Sequence, residues 1–387
     1  AVTRNVKKDG SADHATIQAA VDALAKTLTG DACVVVRDTQ TYNEQVTVQG
    51  FTNNGYRLSI MADPALAGAA PVVSPPALST AAFWVANASV TLQGIASWVT
   101  LSAPYGVRVS SPYATLSSVT VLDANGAIRT AGIALSSWSS VSYASVTVSS
   151  ADGILLSGSN NALSESNATS GKNTSAALRL VGASSNTITR CGLYGSSGFG
   201  SGATLDSSSR FNTIELSTLS AHGTSEGWSK VGLVLAGSYN TLTRSRISAA
   251  NNGLALGGGS NNLLSLNTIV GSPALFLYNG ASSNTVTQSM ISSPWSAAVA
   301  FTGYSGGNWM SGAAFNTISL STLTNDSNTD FTLEFSGMIN GGPLLSTGNV
   351  ISDSYIYNSL GDAALVNFAV LTTISRSTLV AGWLSGI

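Results

Sequence analysis

Apolar residues along this chain follow two short patterns that alternate and then repeat. The first is an apolar residue two positions after a recurring asparagine, as in SSNTIT, RFNTIE, SYNTLT, SNNLLS, SSNTVT and AFNTIS. Aligned on that residue, the row reads Leu163, Ile188, Ile214, Leu242, Leu264, Val286, Ile318 and Ile351. It extends back without the asparagine through Val90, Leu116 and Val141, and forward to Ile374, giving twelve copies 22 to 33 residues apart. A period of that size marks a solenoid, in which each repeat buries its apolar face against the next. The second pattern runs in phase with the first: YGVRVS at 105, AGIALS at 131, DGILLS at 152, VGLVLA at 231 and NGLALG at 252. Apolar positions separated by one residue are the signature of a strand with one buried face.

Two or three short strands fill each repeat and leave little room for a helix. That predicts an all-β parallel β-helix of about 12 coils, with neighbouring coils ~4.8 Å apart. Ile188 and Leu193 both belong inside but are five residues apart, so a corner must lie between them, near Arg190 and Cys191. The residues at that corner in other repeats are small and polar, such as Ser217 and Ser245, and can bond to local backbone. Asn161, Asn186, Asn212, Asn240, Asn262, Asn284, Asn316 and Asn349 form a second row. Asparagine tolerates a left-handed turn, and its amide can ladder to the copy above. The row is therefore expected to be structural and not a ligand site.

At the N-terminus, Ile17, Ala20, Val21 and Leu24 make one face of an amphipathic helix over 13–27, with Ser11 or Asp13 as cap. Strands are expected at 33–38, 44–49 and 57–62. The organisation is then a cap helix with the first coils over 1–84, followed by one continuous run of repeats over 85–387. The C-terminus carries no equivalent cap. Trp383, Leu384 and Ile387 are expected at an open edge, which further chain or another subunit would cover.

Charge changes the picture little but excludes much. Only 9% of residues are charged and the net charge is −2, which gives no basis for binding nucleic acid. No apolar run reaches the ~18 residues of a membrane span. Cys33 and Cys191 are expected to be free thiols, and neither they nor the isolated His14 and His222 suggest a metal site. No cofactor is expected.

The G-I-x-L and N-N-T-I cadence resembles the right-handed parallel β-helix repeats of the pectin lyase-like superfamily, including NosD-type repeats. VKKDGSADHATIQAAVDALAK (6–26) and TYNEQVTV (41–48) resemble the opening of pectin methylesterases. The resemblance implies a right-handed solenoid whose helix covers the first coil. It also implies a superfamily rich in polysaccharide enzymes, but their catalytic motifs are missing: FTLEFSG (331–337) lacks the esterase aspartate, and AHG (221–223) precedes NTD (328–330), the reverse of the polygalacturonase order.

Reading the second pattern, the outward position runs Arg108, Ala134, Leu155, Arg179, Thr204, Val234, Ala255, Phe276, Ala300, Glu334 and Val366. Its nearest approach to a catalytic constellation is Arg179 with Asp206 and Glu215, a surface ion-pair cluster or a lyase-like site. Leu155, Val234, Phe276 and Val366, flanked by Tyr278 and Phe368, form an apolar row that long coils or a partner chain would cover. The tryptophans at 84, 98, 138, 228, 295, 309 and 383 fall outside the strand motifs; aromatic residues on loops can stack on sugar rings. The expectation is a non-catalytic structural or adhesive module of a secreted or cell-surface protein. It would bind other protein chains or copies of itself, along the apolar row or at the C-terminal end, and possibly polysaccharide. The alternative is a carbohydrate-active enzyme (lyase, glycoside hydrolase or esterase) acting on acidic polysaccharide.

Overall fold

A computed structural model describes residues 1–171, 175–196, 200–221, 230–302, 304–305, 308–309, 312–336, 345–367 and 369–382. The chain divides into two compact units, residues 1–179 with 190–192 and residues 180–189 with 193–387. Both are parallel β-solenoids, with about 13 turns counted over the two. Each turn contributes a strand to each of three sheets. In one turn of the second unit these are Thr213–Glu215 in the first sheet, Thr218–Ala221 in the second and Leu233–Leu235 in the third.

The inward positions are the apolar ones read from the sequence. Ile214, Leu242, Leu264 and Val286 stand in register in the first sheet, each at most 2% exposed. In the first unit, Leu116 stands opposite Leu92, so Leu92 and not Val90 occupies that row. Within each unit such stacking buries an aliphatic core, and at roughly 1.5–3 kcal/mol per large side chain this is the main stabilising term.

Polar residues hold the corners. Leu216 turns the chain with φ 51°, and Ser217 Oγ then donates to the Glu215 carbonyl (2.8 Å) while its N–H donates to Ser245 Oγ of the next turn (3.1 Å). The asparagines are buried in a ladder. Asn240 N donates to Asn262 Oδ1 (2.8 Å), Asn262 N to Asn284 Oδ1 (3.0 Å) and Asn284 N to Asn316 Oδ1 (3.1 Å). Their Nδ2 groups satisfy carbonyls, as Asn262 does for Gly237 (2.9 Å). The left-handed residue is not the ladder asparagine but its predecessor: Phe211, Tyr239, Asn261, Ser283 and Phe315 all have positive φ. The amide must point inward to ladder, so the backbone reverses one residue earlier.

The cap helix is shorter than the sequence suggests. Helix α1 spans Ile17–Asp22, and Thr16 caps it by accepting from Ala19 N (3.2 Å). Asp13 is unavailable as a cap because its carboxylate accepts from the Asn5 backbone and side chain at 2.8 and 3.1 Å, and Ser11 is tied to Asp9. Glu44 completes the N-terminus of α1 by accepting from Ile17 N (2.8 Å) and Gln18 N (3.0 Å). Burial raises its pKa, which those two donors and nearby Lys8 only partly offset. The sequence also gave no sign of the strand Val2–Val6, whose open edge is blunted by the bond from His14 N to the Asn5 carbonyl (3.1 Å). At the other extreme, Val366, Leu371 and Leu379 are 53%, 78% and 45% exposed. Trp383, Leu384 and Ile387 lie outside the described residues.

Candidate functional site

The third sheet of the first unit carries the densest chemistry on its outward side. Register places Thr47, Trp84, Arg108, Ala134 and Leu155 in one column, one turn apart. Strict alternation would put Tyr105 and Arg108 on opposite faces. Alternation breaks between them: Gly106 and Val107 are both buried, and Tyr105 and Arg108 are both part-exposed. Gly106 packs inward so closely that a Cβ there would collide with the Val121 side chain and the Gly132 carbonyl. Tyr105 and Arg108 therefore share one face. The Arg108 guanidinium lies 5.8 Å from the Trp84 ring centroid and 5.3 Å from that of Tyr105. Trp84 is fixed by its Nε1–H, which donates to Ser110 Oγ (3.2 Å). Among the described residues Arg108 forms no ion pair.

Further along this face stands a part-buried ion pair. Arg179 Nε lies 2.7 Å from Asp152 Oδ2, with the two side chains 27% and 13% exposed. The other Asp152 oxygen accepts from Ala176 N (2.8 Å). On the same sheet Arg129 Nε donates to Ser102 Oγ (3.3 Å) and is otherwise open to solvent.

The sequence grouped Arg179 with Asp206 and Glu215, but each has another role. Asp206 accepts from Gly182 N at 3.1 Å and from Ser209 Oγ at 2.7 Å. Burial pushes its pKa up, but these donors and Ser208 outweigh that and hold it below the usual carboxylate range. Glu215 pairs with Arg244 (3.1 Å), on the first sheet rather than the third. These are local turn and surface pairs. Exposed pairs of this kind contribute about 0–1 kcal/mol.

In the second unit the same face is different in character. Its outward column runs Thr204, Val234, Ala255, Phe276, Ala300, Glu334 and Leu365. Register corrects one expectation. Leu365 is the outward residue, and Val366 stands opposite the inward Phe335. Phe276 stacks on Tyr278 with centroids 4.7 Å apart, and burial raises the Tyr278 pKa. Leu155, Val234 and Phe276 are half-buried, so the apolar row is partly covered; Phe368 lies outside the described residues.

Cys33 is half-buried, and Cys191 is buried with its thiol donating to the Leu163 carbonyl (3.7 Å). Among the described residues no cluster of three or more His, Cys, Asp or Glu could hold a metal ion, and no helix is long and apolar enough to cross a membrane. Trp84 and Trp98 lie within strands Ala81–Val85 and Ala96–Val99, contrary to the sequence reading. Aligning AAFWVA with YGVRVS would have placed Trp84 beside Arg108.

Residues 131–315 match the family model described as the right handed beta helix region. The chain is a right-handed parallel β-helix. Among solved structures this β-helix resembles the A-module of mannuronan C-5 epimerase AlgE6 of Azotobacter vinelandii, at 14% identity and TM-score 0.57, over 94% of this chain and 93% of that one. It also resembles the Dettilon tailspike protein, at 12% identity and TM-score 0.51, over 89% of this chain and 62% of that one. A third is a mannuronic acid specific family 6 polysaccharide lyase from human gut microbiota, at 10% identity and TM-score 0.50, over 89% and 77%. At these identities the likeness is one of fold. No curated protein sequence matches the chain.

Proposed function

We propose that this β-helix is a carbohydrate-active protein that lays an acidic polysaccharide along the outward third-sheet face of its first unit. The observation that carries the reading is Arg108, a guanidinium set between the Trp84 and Tyr105 rings without a carboxylate partner among the described residues. The rings supply flat apolar faces for sugar, and the guanidinium supplies two parallel donors for a carboxylate. Arg129 adds positive charge on the same sheet. The epimerase and the lyase it resembles, named for mannuronan and mannuronic acid, support the reading and favour it over a purely structural module.

The arrangement suits chemistry beginning at a uronate carboxylate better than glycoside hydrolysis. Hydrolysis needs two carboxyl groups about 5–10 Å apart. Among the described residues of this face the acid is Asp152, which is held by Arg179 and the backbone. Neutralising a sugar carboxylate with Arg108 would acidify the adjacent C–H, the first requirement of a lyase or epimerase. A protein of this function works outside the cell or at its surface, where such polymers occur.

The experiment is incubation with polymannuronate and polygalacturonate, following unsaturated chain ends by absorbance and sugar configuration by NMR. Formation of either product, lost in Arg108→Ala, supports the reading. Retention of both polymers unchanged, together with no binding to them, would sink it.

A further inference from the structure

A second surface of the first unit is built at a conformational cost that the fold does not require. The residue that reverses the chain between the third and first sheets is left-handed in every repeat where it is described. Asparagine serves at 160, serine at 89 and glycine at 348, residues that tolerate this backbone or are small, while Phe211, Tyr239, Phe315 and Leu371 also take it, Phe211 and Tyr239 stacking on each other at 5.3 Å. Tyr113 and Trp138 occupy the same position on successive turns with φ 63° and 59°. A bulky residue there is strained. Packing does not repay it, since the two side chains are 59% and 53% exposed. Their ring centroids lie 6.3 Å apart at 37°, so they tilt open and do not stack face to face.

The surroundings indicate what these rings meet. The corner segments SSPYA (110–114), SSWSS (136–140) and SGSNN (157–161) contain no charged residue. Hydroxyls line them: Ser136 Oγ donates to the Ser111 carbonyl (3.2 Å), and Ser137 Oγ accepts from Ser159 N (3.0 Å). Aromatic faces rimmed by uncharged hydroxyl and amide groups complement a neutral sugar, apolar on one face and hydroxylated at the edge. An anionic lipid surface would call for basic residues, which this corner lacks. The platform also adjoins the third-sheet strip, because Ser110, at the head of this corner, holds the Trp84 indole.

We infer that Tyr113 and Trp138 form an accessory platform for uncharged polysaccharide, separate from the Arg108 strip. The inference rests on the polysaccharide-handling reading above, and the test keeps the two apart. Asparagine suits the left-handed backbone, so the double variant Tyr113→Asn/Trp138→Asn should fold with an undiminished Tm. In native affinity electrophoresis through hydroxyethylcellulose, the parent should be retarded, the double variant at least tenfold less, and Arg108→Ala as strongly as the parent. Through polymannuronate, Arg108→Ala should lose retardation while the double variant keeps most of it. A parent that hydroxyethylcellulose does not retard, or a double variant retarded as strongly as the parent, overturns the platform. So does loss of a parental dimer in the double variant by sedimentation, since the surface would then be binding a second copy. Equal retardation of the parent and Arg108→Ala by polymannuronate would count against the strip alone.

Discussion

The outward third-sheet face of the first unit and that of the second are made by the same backbone and carry opposite chemistry. In the first, Trp84, Tyr105 and Arg108 stand together and an aspartate–arginine pair follows. In the second, Val234, Ala255, Phe276 and Ala300 succeed one another, and Phe276 is spent on Tyr278. Both faces lie over equally regular inward rows, so the difference is not one of folding. On the function proposed above, the second face covers itself, and the first leaves a cation and two rings for a ligand.

Three substitutions separate the two faces from the scaffold behind them. The largest effect is expected from Asn262→Leu. It leaves the Asn240 N–H and the Gly237 carbonyl buried without partners, which at about 1–3 kcal/mol per group should lower stability by roughly 2–6 kcal/mol. The urea midpoint should fall accordingly, while protein that remains folded should bind polymannuronate as before. An unchanged midpoint would mean that the ladder is dispensable. Phe276→Ala should cost about 1–2 kcal/mol, less than a fully buried aromatic because the ring is half-exposed, and should leave polysaccharide binding intact. If it abolished binding instead, the second unit would be the site and the comparison would reverse. Arg108→Ala should change stability by less than about 0.5–1 kcal/mol, because it removes a part-exposed side chain without an ion pair. Its effect should appear only with an anionic polymer present, and that binding should weaken with salt.

The sequence carried most of the fold and little of the site. The inward rows were legible because one period-2 pattern recurs in phase with a corner, and a single register satisfies every copy. Val90 and Val366 were misplaced where a strand lies near an end of the repeat run and several apolar residues compete for one inward position. The helix was drawn too long because Leu24 continues the apolar period, and burial of Leu24 in the turn after α1 does not require helix. The site was hidden for a different reason. Arg108 was correctly placed outward, but Tyr105 reaches the same face only through the irregularity at Gly106, which strict alternation does not allow. Asp152, the partner of Arg179, precedes its strand's alternating run. Long-range pairing across turns of unequal length brings these residues together, and spacing along the chain does not encode it.

The central claim is that the first unit's face, and not the second's, receives the polysaccharide. Hydroxyl-radical footprinting read by mass spectrometry tests it directly, because it reports the solvent access of individual side chains. With a polymannuronate oligosaccharide added, oxidation of Trp84 and Tyr105 should fall several-fold, while Phe276 and Tyr278 stay at their ligand-free rates. Protection of Phe276 and Tyr278 with Trp84 and Tyr105 unchanged, or no protection of either pair at saturating oligosaccharide, would contradict the account.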